Sequence, residues 1–121
     1  MALKCSIRSI GDVTMLDISG RLTLGEELAF GSGSGLVLSE KVRELTKKGQ
    51  KKIVLNLTEV NYVDSSGIGQ LVGALTTARK QEANIKFLAP PSRVLDLLRM
   101  NRLDKLFDIR ESEAAAIQSF S

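Results

Sequence analysis

Ile53-Val54-Leu55-Asn56-Leu57-Thr58-Glu59-Val60-Asn61-Tyr62-Val63-Asp64-Ser65-Ser66-Gly67-Ile68-Gly69-Gln70-Leu71-Val72-Gly73-Ala74-Leu75-Thr76-Thr77-Ala78 changes its hydrophobic period part-way along. It opens with Ile53, Val54, Leu55 and Leu57, a short apolar run that fits a strand buried on both faces. It closes with Ile68, Leu71, Val72, Leu75 and Ala78, spaced i, i+3, i+4, i+7 and i+10 along one face of a helix. Between them, Asp64, Ser65, Ser66 and Gly67 lie where a chain leaving a sheet starts a helix. Asp64, Ser65 and Ser66 are all favoured N-cap types. The first turn of a helix has backbone N–H groups without internal partners, and the macrodipole makes that end positive. A hydroxyl held there tolerates added negative charge. From the residues alone this is first of all a well-capped turn, but Ser65 could also accept a phosphoryl group without unfolding the chain, and the charge of Asp64 beside it would set the modified surface apart from the unmodified one.

Val63-Asp64-Ser65-Ser66-Gly67-Ile68-Gly69, after a strand and before an amphipathic helix, resembles the signature of STAS domains, and most of all the stand-alone anti-sigma factor antagonists of that family. Leu16-Asp17-Ile18-Ser19-Gly20-Arg21-Leu22 earlier and Val94-Leu95-Asp96-Leu97-Leu98 later extend the resemblance over nearly the whole chain. It implies an α/β fold with a four- or five-stranded mixed sheet and helices mainly on one face. It also implies a function. The unmodified protein binds an anti-sigma factor, an ATP-dependent serine kinase, and so releases a sigma factor. The kinase phosphorylates the serine after the aspartate, here Ser65, and a phosphoserine phosphatase resets the switch. Asp64, Ser65, Ser66 and Gly67 are then the partner-binding residues. Ser66 is read as a helix-start residue and a second candidate acceptor. The nucleotide belongs to the partner, so this chain is assigned no cofactor and no metal, and a monomer or weak dimer is expected. The alternative is a STAS module of a larger sensory assembly, or an anion-binding regulatory domain.

The composition suits a soluble globular chain, and a single STAS-like domain over residues 1–121 is expected. The chain has 121 residues, 43% hydrophobic and 26% charged, which suits one core. No run reaches the length of a membrane span and no signal-peptide pattern opens the chain. The lone Cys5 cannot form an internal disulfide, which fits a reducing, cytoplasmic setting. Its alternation with Leu3 and Ile7 suggests a buried small hydrophobe. With no histidine, a Ser-His-Asp triad is excluded and the commonest zinc ligand is missing, so an enzyme is not expected. Lys47, Lys48, Lys51 and Lys52 cluster, but the first two suit the negative end of a helix and the others flank a turn. With one tyrosine and no tryptophan there is little to stack on bases, so direct nucleic-acid binding is not expected.

Outward from the centre, Leu3, Cys5 and Ile7 alternate with polar residues in a half-buried strand. Gly11-Asp12 is a two-residue hairpin signal, and residues 13–19 form the second strand, ended by Gly20-Arg21-Leu22. Gly31-Ser32-Gly33-Ser34-Gly35 reads as a flexible loop. It lacks the Lys-Ser/Thr of a P-loop and misses the third glycine of a dinucleotide fingerprint. STAS relatives generally enter their first helix more directly. Leu38, Val42 and Leu45 form a helical stripe, with Glu40–Arg43 or Glu44–Lys48 as candidate ion pairs and Gly49 as C-cap. Gly69 and Gly73 share one side of the central helix, and close packing within the fold is expected of them. Residues 84–89 read as a strand that Pro90-Pro91-Ser92 ends, starting a helix. Val94, Leu97 and Leu98 face inward and Asn101 is a candidate left-handed stop. A helical turn and short strand follow within 103–109. Ser112 caps a last helix that packs through Ile117 and Phe120.

Overall fold

The computed structural model describes residues 4–22 and 37–120. The Gly/Ser tract 31–35 lies outside them. The elements are β1 (Lys4–Ile10), β2 (Val13–Leu22), α1 (Val37–Lys47), β3 (Lys52–Val63), α2 (Ser65–Lys80), β4 (Asn84–Leu88), α3 (Ser92–Met100), β5 (Ile109–Arg110) and α4 (Glu113–Gln118). They form a five-stranded mixed sheet in the order β1-β2-β3-β4-β5. β1 runs antiparallel to β2, and every later pairing is parallel. The opening turn puts Gly11 at φ +60° while Asp12 keeps a negative φ, the pattern of a type II′ hairpin turn.

The alternation of β2 sorts its side chains between two cores. Leu16, Ile18 and Leu22 join the larger cluster with Leu38 and Val42 of α1, Leu71 and Leu75 of α2, and Val94 and Leu98 of α3. Val13 and Met15 face the other way, where Ala116, Ile117 and Phe120 of the α4 segment cover them. Three helices thus lie on one face and the short last helix on the opposite one. β3 has the same double burial: Ile53, Leu55 and Leu57 enter the larger core and Val54 the smaller. Phe87 stacks on Phe107 with ring centroids 4.5 Å apart, closing the β4–β5 end of the larger core.

Several sequence expectations change. β1 is an exposed edge strand: Cys5 is exposed, and Ile7 keeps 50% of its surface in solvent, so the alternation marks no buried face. β2 does not stop at Gly20. That residue takes φ +101° beside a register shift and the strand continues to Leu22. β3 runs on to Val63 because it carries two inserted residues, one between Asn56 and Glu59 opposite Asp17 and Ser19, the other between Val60 and Tyr62 opposite Gly20 and Arg21. Such bulges bend and twist a strand without ending it. Among the described residues, Glu44 on α1 pairs with Lys41 at 3.8 Å. Gly49, at φ +88°, does close α1: its N–H donates to the Thr46 carbonyl and that of Gln50 to Leu45, a Schellman arrangement. Asn101 does not turn left-handed. Arg102 does, at φ +60°, with the N–H of Leu103 donating to the Leu98 carbonyl at 2.7 Å. Among the described residues no helix is long and apolar enough to cross a membrane.

Candidate functional site

The site is the junction of β3 and α2. Asp64 is the N-cap, in extended backbone at φ −112°. Its Oδ1 accepts the Gly67 N–H at 2.9 Å and the Ser66 hydroxyl at 2.6 Å. Its carbonyl accepts the Ile68 N–H at 3.0 Å. Of the three cap types in this sequence, the aspartate takes the role, since a carboxylate accepts more bonds than a hydroxyl and carries the charge the positive helix end favours. Partial burial pushes the Asp64 carboxyl up, but the Ser66 hydroxyl and the N–H groups of Gly67, Ser66 and Asp64 itself outweigh it. The group therefore stays below its usual range and is ionised at neutral pH.

The two serines part company here. Ser66 is partly buried and its hydroxyl is committed to Asp64. Ser65, the first residue of α2, is exposed, and no described group bonds its hydroxyl. All four sequence-predicted residues are brought together, but in different roles: a cap, an exposed hydroxyl, a lock on the cap and a packing glycine.

Gly67 is the glycine the fold requires. A Cβ built on it would stand 2.0 Å from the Leu22 carbonyl oxygen and 3.0 Å from both the Leu22 carbonyl carbon and Val63 Cγ1. The first turn of α2 thus lies directly on the end of β2. A glycine at the third position of a helix, where almost any other residue has better propensity, was the available signal. Among the described residues, Gly69 and Gly73 do not show the close packing expected of them. A Cβ on Gly69 would meet nothing within 4 Å among the described residues, and one on Gly73 would meet Ser39 Cβ at an ordinary 3.9 Å. Exposed Gly69 and half-buried Gly73 instead leave two positions without a side chain on a solvent-facing side that also carries half-buried Val72 and exposed Thr76 and Arg79.

Around the junction, Arg21 lies over the ring of Tyr62, 4.2 Å from its centroid. A groove of about 560 Å³ opens beside Val63, between the last part of β3 and α3. The described residues contain no group of three or more His, Cys, Asp or Glu side chains placed to hold a metal.

The profile of the STAS domain matches residues 5–116, from β1 into α4. The chain belongs to the STAS domain family. Among known relatives, this STAS domain is 34% identical over 77 residues to the anti-sigma-B factor antagonist of Listeria monocytogenes, covering 60% of this chain and 68% of that protein. Its fold superposes on a candidate anti-sigma factor antagonist of Thermotoga maritima with a TM-score of 0.78 at 22% identity, over 95% of this chain and 92% of the other. The Bacillus cell fate determinant SpoIIAA in its phosphorylated form gives a TM-score of 0.67 at 15% identity, over 98% and 100%. At these identities the two structures speak for the fold alone.

Proposed function

We propose that this STAS domain is an anti-sigma factor antagonist, acting in the cytoplasm and switched by phosphorylation of Ser65. Unmodified, it binds an anti-sigma factor serine kinase and frees a sigma factor. The kinase, using its own ATP, transfers a phosphoryl group to Ser65 Oγ and the complex separates. A phosphoserine phosphatase reverses the modification. The relatives' names support the role. The observation that carries the acceptor assignment is the contrast between the two hydroxyls: Ser66 is bonded to Asp64 at 2.6 Å, whereas Ser65 is exposed at the start of the helix.

The chemistry favours a switch that leaves the fold alone. A phosphoserine adds about −1.5 to −2 charges. At the first residue of α2 this charge meets the positive end of the helix, which tolerates it. It also stands next to an ionised Asp64, so the local surface becomes strongly negative. A partner matched to the unmodified surface loses complementarity, and about 3 kcal/mol lost there lowers affinity about a hundredfold.

The test is incubation with anti-sigma kinases of the same genome and ATP, followed by intact-mass measurement, site mapping and binding assays. One phosphoryl group on Ser65 is expected. Ser65→Ala should stay folded, resist modification and bind constitutively, while Ser65→Asp binds about a hundredfold more weakly. Modification elsewhere, or equal binding by wild type and Ser65→Asp, would remove the proposal.

A further inference from the structure

β3 outruns its neighbour. Its ladder with β4 ends at Asn56 opposite Leu88, whereas its ladder with β2 continues to Val63 opposite Leu22. On the β4 side, residues 57–63 therefore present a free strand edge. Among the described residues, the Thr58 N–H is the one backbone group of this stretch bonded outside the ladders, to Asn56 Oδ1 at 3.1 Å. A row of unladdered N–H and C=O groups is a template for another strand. Only the last part of this row, residues 60–63, is sheltered. It borders the groove of about 560 Å³, whose other wall is the start of α3. Val60, Val63, Val94 and Leu97 give the groove an apolar floor, with Arg93 and Asp96 at its rim.

We propose that this groove takes an extended segment of a partner protein by strand addition to β3, and that the segment pairs aliphatic residues with acidic ones. The edge selects an extended backbone, because only that conformation satisfies a strand's donors and acceptors in register. The floor selects aliphatic side chains at alternate positions, since strand side chains alternate faces. The rim selects charge. Asp96 is answered by Arg99, 3.7 Å away on the same helix, whereas exposed Arg93 has no ion-pair partner among the described residues. The uncapped start of α3, where Pro91 offers no side-chain bond, adds to the same positive end. The surface needs neither a modified Ser65 nor the solvent side of α2. It therefore stands or falls apart from the phosphorylation reading.

The test uses the whole chain, unphosphorylated, and a phage-displayed random dodecapeptide library as probe. The expected result is enrichment of peptides with alternating aliphatic and acidic residues. A synthetic enriched peptide should slow amide exchange of residues 59–63 at least tenfold. Methylating every second backbone nitrogen of that peptide should abolish binding while leaving its side chains intact. Arg93→Glu, at an exposed position that leaves the core untouched, should weaken binding at least tenfold, with folding confirmed by circular dichroism. The proposal is overturned if no peptide is enriched, or if enriched peptides leave the 59–63 amides unprotected. It also falls if the methylated peptide binds as well, or if inorganic phosphate or acetate alone protects the same amides.

Discussion

Replacing Gly67 by alanine adds one carbon to a place that has no room for it. That carbon would lie 2.0 Å from the Leu22 carbonyl oxygen, where carbon and oxygen ordinarily stop at about 3.3 Å. About 1.3 Å must be recovered by moving backbone, because the obstacle is a strand carbonyl and not a flexible side-chain tip. Overpacking of this kind costs about 1–3 kcal/mol, occasionally more, and the rigid obstacle puts it near 4 kcal/mol. Alanine returns about 1 kcal/mol of helix propensity, leaving a net loss of about 3 kcal/mol. For a chain of this size the melting temperature should fall by about 12 °C. Gly69→Ala is the matched control two positions along the same helix. Its new methyl meets nothing within 4 Å among the described residues, so it should gain about 0.5–1 kcal/mol. Urea unfolding monitored by circular dichroism reads both, with an unchanged slope showing that the same surface is exposed. If Gly67→Ala unfolds within 0.5 kcal/mol of wild type, or if Gly69→Ala is equally damaging, the packing account of this junction is wrong.

Other outcomes follow from the same geometry. Asp64→Ala should cost about 1–2 kcal/mol at neutral pH through loss of the cap, measured by urea unfolding. The Asp64 carboxyl sits lower when folded than its unfolded value of about 3.9, so its contribution is complete above that pH and is lost as the pH falls through the folded value. Asp12, Asp17 and Asp108 are shifted the same way, Asp17 chiefly by the Arg8 guanidinium. Stability should therefore drop steeply below about pH 4, and Asp64→Ala should flatten part of that drop. Arg102→Gly should raise stability by about 0.5–1 kcal/mol, since φ +60° strains any side chain and suits glycine. An unchanged urea midpoint would show that the strain is relieved elsewhere.

The sequence is most readable where one period governs many residues. The apolar run at 53–57 and the spacing of Ile68, Leu71, Leu75 and Ala78 mark a buried strand and a helix face, and each of these helical residues is buried. The turn between them is legible because its residue types have caps and little else to do. Beyond residue 57, Thr58, Glu59, Asn61 and Tyr62 are exposed, and two insertions break the alternation, so a strand looks like a turn. β1 shows the converse fault: it alternates, but it lies at an edge where only Ile10, at its end, packs against a core. The left-handed turn after α3 falls on Arg102, because the ring closed by Leu103 and Leu98 fixes its position whatever the residue's preference. At the site, composition names the four residues but not their division of labour. That division depends on which hydroxyl points back to the cap, and on a carbonyl contributed by a strand more than forty positions earlier in the chain, Leu22 against Gly67.

The contact between Gly67 and Leu22 has a mechanical consequence. With no side chain between them, helix and strand meet like two machined faces without clearance. A load applied to the first turn of α2 is carried straight into the last carbonyl of β2 instead of being absorbed by a yielding side chain. Whatever pushes on the helix near Ser65 therefore also presses on the sheet.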